Sequence, residues 1–546
     1  MTGNLQLDDR LGDFTADRRI LTLTGMAALI GVISAFVALA LLRLIGFFTH
    51  LFYYHAIDSR LVSPADNRLG VWALLVPIVG GLIVGLMARY GSERIRGHGI
   101  PEALEAILIG QSRMSARVAV LKPLSSAISI GTGGPFGAEG PIIMTGGALG
   151  SLFGQAFHLS PAERKTLLVA GAAGGMAAVF GTPLAATLLA VELLLFEWKP
   201  RSFIPVACAA AVAGALRVPL LGAGPLFPVP PHAALTADGL VVALALGIAA
   251  GFGSGLLTWL VYACEDLFRK VPIHWMWWPL LGGAVIGLGG LLYPRALGVG
   301  YDTIHDLLTG QLVGVALVGL MVTKAVIWAV ALGSGTSGGV LAPLLIMGGA
   351  LGALEAHWIP SGDPGLWAAL SMGAMMGGTM RSPFTAVAFM VELTHDVNVL
   401  PGLLVACVAA DAVTVLLMKR SILTEKVARR GYHLTREYVV NPLHLLQVRD
   451  VMEPPVLRVA ERAPATSYPD ELLEDALIKL LEHEAELLPV VSREDPTRVV
   501  GYVERAGIMA AWVAATRAEG LREEGWLTEH LRTLQQRVTK ALTGAR

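Results

Sequence analysis

Charged residues are scarce in this chain. They make up 15% of its 546 residues, whereas soluble domains carry roughly 25%. Hydrophobic residues make up 54% of the chain, and the mean hydropathy is +0.63. This balance excludes a soluble protein and places most of the chain in a lipid bilayer. The net charge of −1 favours neither nucleic acid nor an acidic partner, so we expect no nucleic-acid binding.

Cysteine is nearly absent. The three cysteines, Cys208, Cys264 and Cys407, lie far apart in apolar runs. Their spacing excludes a disulfide framework and matches no metal-site pattern. The sequence also lacks a His/Asp/Glu cluster at metal spacing and a paired nucleophile and base. We therefore expect packing cysteines, no metal, no cofactor and no enzyme activity.

Long apolar runs are abundant from about residue 20 to residue 418. Each of the clearest is long enough to cross a bilayer. They are Ile20–Phe52, Leu69–Ala88, Leu240–Cys264 and Leu312–Leu332. The polar, acidic first residues and the length of the first run predict that no cleavable signal peptide precedes them. The 63 glycines cluster inside these runs, which predicts short, tilted, broken helices around a central site.

The membrane part repeats itself. Pro141 matches Pro343 at an offset of 343 − 141 = 202, and Gly146–Gly150 matches Gly348–Gly352 without a mismatch. Three blocks match in the same order with nearly the same offset. The other pairs include Gly137 with Gly339, Lys122 with Lys324, Pro183 with Pro383, Glu192 with Glu392, and Gly97 with Gly298. Paired halves with glycine-interrupted helices point to a transport site at the repeat interface, near the bilayer midplane.

Glu139 lies inside Gly137–Pro141, at the start of an apolar helix. A carboxylate in the hydrocarbon usually marks an ion or proton path. The neighbouring glycines let backbone N–H groups turn toward one point, and the following helix aims its positive dipole end there. The plainer interpretation is an acidic cap at a helix start. The membrane setting favours an anion site with a titratable acid inside it.

Three motifs resemble those of the CLC family of chloride channels and chloride/proton antiporters. Gly97–Glu102 resembles the GSGIP element, Gly137–Pro141 the GREGP element, and Gly339–Pro343 the GIFAP element. They occur in family order and spacing across the whole membrane region. The resemblance implies an all-α polytopic membrane protein with an inverted repeat of broken, tilted helices. It also implies a homodimer with one chloride pathway per subunit, in a bacterial-type inner (plasma) membrane with both termini cytoplasmic.

The resemblance also assigns roles to residues. Glu139 matches the gating glutamate, which competes with the anion and carries the proton in antiporters. Protonation would release this carboxylate from the positive helix ends. The implied anion-binding residues are His98, Gly99, Ile100, Gly137, Ala138, Gly140, Val340 and Leu341.

Two departures from the family concern anion binding. His98 stands where the family has a serine, and imidazole can donate the same hydrogen bond but also gains charge between about pH 5 and 8. We hypothesise that His98 lines the central site and adds pH dependence; alternatively it points away. Leu423 falls at the inner-gate tyrosine position, which predicts a looser inner gate and a weaker central site. Leu341 replaces an aromatic, which matters less because that element contributes backbone N–H.

A third departure concerns protons. Leu193 falls where many antiporters carry an internal glutamate, and a one-residue shift turns Glu192 away by about 100°. Glu192 and its counterpart Glu392 therefore favour a structural or dimer-interface role. An uncoupled channel and an antiporter with another proton path both remain open. Lys122 and Lys324 favour an electrostatic role beside the path, against snorkelling to the interface.

The last part of the chain changes pattern. Basic residues after the last span favour the cytoplasm. A helix at Leu472–Glu482, strands at Leu487–Val491 and Val499–Val503, and a helix at Ala506–Arg517 resemble one CBS motif. Two such tails could pair in a homodimer, with or without an adenine nucleotide. The predicted divisions are a cytoplasmic N-terminal segment (1–19), membrane repeats (20–220 and 238–432), a CBS-like domain (446–518) and a helical tail (519–546).

These observations predict a CLC-type chloride transport protein gated by Glu139. Coupling to proton antiport stays open beside an uncoupled chloride channel. A fluoride-exporting relative is the rival within transport. A membrane receptor that senses an anion is the rival from another class, although no output domain follows the tail.

Overall fold

The structure is a computed structural model that describes residues 18–359, 363–432, 443, 446–454 and 465–518. Within those residues, eight helices are long and apolar enough to cross a membrane. The protein is therefore a multi-pass integral membrane protein. Residues 1–17 of the predicted N-terminal segment and the predicted helical tail (519–546) lie outside the described residues.

The first repeat is helical throughout. Its helices are α1 (Arg19–Thr49), α2 (Leu75–Tyr90), α3 (Ile100–Leu108), α4 (Ala116–Gly131), α5 (Glu139–Ala156), α6 (Pro161–Phe180), α7 (Pro183–Leu189) and α8 (Pro200–Leu221). Single π-helical segments extend α1 through His50–Tyr54 and α7 through Ala190–Leu195. Helices as short as α3 and α7 cannot cross a bilayer alone, so the prediction of broken helices is confirmed.

The second repeat follows the same order. Its helices are α9 (Ala237–Lys270), α10 (Trp278–Leu292), α11 (Tyr301–Leu308), α12 (Val315–Gly333), α13 (Leu341–Glu355), α14 (Pro364–Met380), α15 (Pro383–Thr394) and α16 (Leu400–Leu417). A short helix, α17 (Ile422–Ala428), then leads to the tail. The four apolar runs singled out in the sequence overlap α1, α2, α9 and α12, although α2 begins at Leu75, after a 3₁₀ turn at Gly70–Leu74.

The two repeats cross the membrane in opposite directions. The face that carries the start of α6 and the end of α17 is called here the tail face, and the opposite one the far face. Arg164 of α6 donates to the Gln111 carbonyl on the tail face (2.9 Å), next to a cavity that Gly110, Arg113 and Arg430 line. Its counterpart α14 ends there instead, since Arg381 binds the Thr414 carbonyl near the end of α16 (2.8 Å). The predicted inverted repeat is confirmed.

Glycines allow equivalent segments to meet at the pseudo-twofold axis. Gly137 and Gly339 pair with each other in antiparallel fashion, with N···O distances of 3.4 and 3.0 Å. A Cβ on Gly81 would collide with the carbonyl of Pro279. The equivalent Gly283 lies in the same way against the carbonyl of Pro77. Helix α2 can therefore cross its own counterpart α10 at backbone contact, as small residues permit in membranes.

Each repeat also caps a helix of the other. Glu392 accepts hydrogen bonds from the Leu184 and Ala185 amides at the start of α7 (2.9 and 2.8 Å). Glu192 accepts in turn from the Thr385 amide and hydroxyl at the start of α15 (2.8 and 2.5 Å). A carboxylate satisfies the unpaired N–H groups of a helix start and complements its dipole.

The tail forms a small α/β unit. It contains α18 (Leu473–Glu482), a β1 (Leu487–Val491) and β2 (Val499–Glu504) antiparallel pair, and α19 (Arg505–Ala518). These elements match the predicted ones to within one residue at each end. On its surface Arg493 donates to both carboxylate oxygens of Asp470 (2.7 and 2.8 Å). This contact holds the pKa of Asp470 below its ordinary value.

Candidate functional site

Glu139 lies at the meeting point of the two repeats. It is the first residue of α5, and none of its surface is exposed. Its carboxylate Oε1 accepts a hydrogen bond from the backbone amide of Leu341, the first residue of α13. A Cβ on either Gly137 or Gly339 would collide with this carboxylate. The glycines of both motifs are therefore required for the acid to reach the opposite helix.

The predicted anion-binding residues come together around this carboxylate. Gly137, Ala138 and Gly140 flank it in sequence, and Val340 and Leu341 form the start of α13, all of them buried. Helix α3 also begins here. The His98 carbonyl, just before α3, lies so close to Gly140 that a Cβ on Gly140 would collide with it. Three helix starts thus converge, and each contributes positive partial charge and unpaired N–H groups. The Glu139 carboxylate occupies this positive point in the way an anion would.

His98 is buried on the tail side of the junction. Its side chain is 4% exposed, and its Nδ1 has no hydrogen-bond partner among the described residues. Gly99, with a φ of +91°, lets the chain turn from His98 into α3. An imidazole with a free ring nitrogen can donate to an anion, although the contact itself stays a prediction.

Glu102 is a site residue to which sequence reasoning assigned no role. Its Oε2 accepts from the amide of Gly99 (3.0 Å) and so caps α3. Its Oε1 lies 3.4 Å from Lys426 and 3.2 Å from Arg430. The spacing of an acid three residues after a helix cap was readable in the sequence. The two basic partners were not, since they lie more than 300 residues away.

Lys122 and Lys324 have equivalent positions and equivalent contacts. Lys122 Nζ donates to the carbonyls of Ile95 and Gly97 (2.9 and 2.7 Å). Lys324 Nζ donates to the carbonyls of Ala296 and Gly298 (2.9 and 3.2 Å). Both side chains are fully buried, so neither reaches the membrane surface. Each lysine holds the loop that leads into α3 or α11. The electrostatic role stays a prediction.

Two apolar residues occupy positions where the motifs led us to look for polar groups. Leu423 is fully buried in α17, next to Ile422, whose carbonyl accepts a hydrogen bond from the Tyr262 hydroxyl (2.5 Å). Leu193 is fully buried in the π-helical extension of α7. Neither side chain can bind an anion or carry a proton.

A cavity of about 720 Å³ opens on the tail face beside this site. Seven basic and four acidic side chains line it, so its net charge is positive. The basic residues are Arg94, Arg96, Arg113, Arg269, Lys426, Arg429 and Arg430. Such a cavity concentrates small anions near the start of α3.

Comparisons with known proteins agree on one family. The family model described as "Voltage gated chloride channel" matches residues 79–415. The voltage-gated ClC-type chloride channel ClcB of Escherichia coli is 30% identical over 419 residues, which covers 74% of this chain and 99% of that protein. Two solved structures share the fold at 22% identity. A slow cyanobacterial Cl⁻/H⁺ antiporter has a TM-score of 0.65 and is covered over 98% of its length, with 76% of this chain matched. A CLC-type fluoride/proton antiporter has a TM-score of 0.62 and is covered over 97%, with 73% of this chain matched.

Proposed function

The chain belongs to the voltage gated chloride channel (CLC) family, and we propose that it transports chloride through one pathway per subunit, gated by Glu139. The observation that carries this proposal is the buried Glu139 carboxylate bound to the Leu341 amide at the junction of two inverted repeats. A carboxylate in that position blocks the anion path. Protonation removes its charge and weakens its hold on the helix start, and an anion then takes its place.

Proton coupling is the finer part of the proposal. Glu139 can carry a proton between its bound and released positions, and the basic cavity on the tail face supplies the anion. The buried Leu193 favours a second candidate, an uncoupled chloride channel, because no acid stands at that position to pass protons onward. His98, buried beside the start of α3, is titratable and offers an antiporter another proton route.

Chloride efflux from liposomes with simultaneous proton recording tests the proposal, for the wild type and for Glu139→Gln. Chloride efflux that drives uphill proton movement, abolished by the substitution, identifies an antiporter. Passive chloride flux that follows the voltage, with no proton movement, identifies the channel. The same assay with fluoride in place of chloride distinguishes a fluoride exporter. An absence of any anion flux contradicts transport and favours the anion-sensing receptor.

We further propose that the tail face is cytoplasmic and that two chains form a homodimer. Lys419, Arg420, Lys426, Arg429 and Arg430 follow α16 on this face, and such clusters stay in the cytoplasm. The capped starts of α7 and α15 pack side by side, and their equivalent residues Leu184 and Phe384 are 57% and 54% exposed. A second copy would cover this surface together with the half-buried Glu192 and Glu392, whose charges are costly beside lipid. Light scattering in detergent should give twice the chain mass of 57.5 kDa.

We propose that the tail is a single CBS-like unit that pairs across this dimer. The support is the order of its elements, with one helix before the strand pair and one after it. Adenine-nucleotide binding there is a proposal to be checked by calorimetry with ATP and AMP; the alternative is a clamp that only joins the two tails.

A further inference from the structure

Three buried polar atoms on the far-face side of the site have no hydrogen-bond partner among the described residues. They are Oε2 of Glu139, the hydroxyl of Tyr301 and Nε of Arg217. The Tyr301 hydroxyl lies within electrostatic range of the other two side chains. Buried hydrogen-bonding groups in proteins nearly always have partners. A hydroxyl in range of both the Glu139 carboxylate and the Arg217 guanidinium therefore indicates a polar position that the mechanism around Leu341 does not use.

Arg217 is held firmly at the far end of α8. Its residue is 8% exposed, and its Nη1 donates to the Gly222 carbonyl (2.9 Å). The guanidinium packs against Gly181, where a Cβ would come within 3.2 Å of Nε. Gly181 ends α6 with a φ of +72°, so a glycine there serves both the turn and the arginine. A cation is thereby kept inside the protein, and its Nε–H has no acceptor among the residues that the structure describes.

Tyr301 is equally fixed. It is the first residue of α11, and its ring packs edge-on against Phe227 and Phe180, with centroid distances of 5.5 and 6.4 Å. Aromatic packing on two sides fixes the ring and therefore the position of its hydroxyl. A tyrosine hydroxyl donates a hydrogen bond to an anion without adding charge of its own.

The repeat gives this position a counterpart. The α11 start follows Gly298-Val299-Gly300 as the α3 start follows Gly97-His98-Gly99, and Lys324 holds the one loop as Lys122 holds the other. Because the halves are inverted, the positive end of α11 lies on the far-face side of Glu139 as that of α3 lies on the tail-face side. Asp302, the next residue of α11, is in electrostatic range of Lys324.

We propose that Tyr301 and Arg217 form a binding station for one small monovalent inorganic anion, called here the far-face station. This proposal rests on the proposed transport function and adds a second anion-binding position to its pathway. The Tyr301 hydroxyl and Arg217 Nε donate to the anion, and the α11 start adds positive potential. The Glu139 carboxylate and the anion repel each other, so an anion in the station holds Glu139 against the Leu341 amide. Once Glu139 is protonated, the repulsion is gone and the anion advances to the junction.

Two measurements test the station, with Tyr301→Phe and Arg217→Gln as variants. Crystals grown in bromide should show anomalous density between the two side chains in the wild type, and the density should be lost in both variants. In proteoliposomes with oriented insertion, the half-saturating chloride concentration on the far face should rise about tenfold, as expected for one lost hydrogen bond to a charged group. On the tail face it should stay within about twofold of the wild type. Arg217→Lys should restore part of the affinity.

Matched controls come from the tail face. Tyr90→Phe replaces a 79% exposed tyrosine at the end of α2, and Arg201→Gln replaces an arginine at the other end of α8. Both should leave the two half-saturating concentrations unchanged. Monodisperse elution in size-exclusion chromatography establishes that each variant is folded.

The outcomes separate the station from transport. Bromide density that disappears in Tyr301→Phe, in a protein without flux, supports the station and contradicts the transport proposal. Chloride flux without bromide density, or with affinities that the variants change equally on both faces, overturns the station and leaves transport standing. Density that persists in both variants, with unchanged affinities, identifies an adventitious ion only and also overturns it.

Discussion

The carboxylate of Glu139 accepts a hydrogen bond from the amide of Leu341, so an acid of the first repeat closes a helix start of the second. The two residues are 202 positions apart and meet at the pseudo-twofold axis. In the proposed function this one side chain both blocks the path and senses protons, because its charge determines whether it stays at that helix start.

Replacement of this acid should remove gating by protons. Glu139→Gln keeps the shape of the side chain but cannot be deprotonated or carry a proton. We expect chloride flux, measured at fixed tail-side pH, to lose its dependence on far-side pH between about 5 and 8, and proton movement to fall to the leak level. Liposome flux with a pH electrode measures both. Glu355→Gln, at the far end of α13, should keep the wild-type pH dependence. A Glu139→Gln protein with intact proton movement would contradict the assigned role.

The imidazole of His98 should make transport depend on the pH at the tail face. His98→Ser retains a hydrogen-bond donor and removes the titratable group. We expect transport to persist while its dependence on tail-side pH flattens, because serine has no charge to gain. Flux measured at fixed far-side pH checks this. The control is His158→Ser, which replaces an exposed histidine on the same face. An unchanged pH profile in His98→Ser would contradict the hypothesis.

Loss of either buried lysine should lower the stability of the protein by a similar amount. Lys122→Met and Lys324→Met each remove a buried ammonium that donates to two carbonyls, at about 1–3 kcal/mol for each carbonyl left unsatisfied. We expect both variants to unfold at a lower temperature, and chloride affinity to fall in the molecules that remain folded. Thermal melting in detergent and flux titrations measure the two effects. The exposed Lys270→Met should change neither. Normal affinity in both buried variants would leave the lysines a structural role alone.

The reciprocal caps should contribute stability without affecting protons. In Glu392→Gln one of the two acceptor oxygens becomes an NH₂ group, and the amide carries no charge to complement the α7 dipole. We expect a loss of about 1–2 kcal/mol, the cost of a helix cap, with a similar loss for Glu192→Gln. The number of protons moved per chloride should stay that of the wild type. The exposed Glu482→Gln in the tail is the control. A changed proton ratio in Glu192→Gln would show that the residue lies on the proton path after all.

The sequence revealed the repeat because close backbone crossings need glycine on both partners. Gly81 and Gly283 are such a pair, and glycines at equivalent positions leave a readable offset. The positions of α1, α2, α9 and α12 followed from apolar length, and the candidate site from glycines around a single acid. The partners of Glu102 and the neighbours of Arg217 could not be predicted in this way. Those contacts join segments that are far apart in the sequence. No short-range periodicity of the sequence indicates which side chains meet.

The reciprocal caps also constrain the synthesis of the chain. The start of α7 emerges early, but Glu392, which satisfies its amides, follows about 200 residues later. At roughly 5–20 residues per second, the ribosome needs about 10–40 s to synthesise that length. During this interval the first repeat sits in the membrane with an incomplete helix start. The helix start of α7 is therefore capped only after the second repeat has been synthesised. Neither repeat alone can cap all of its helix starts.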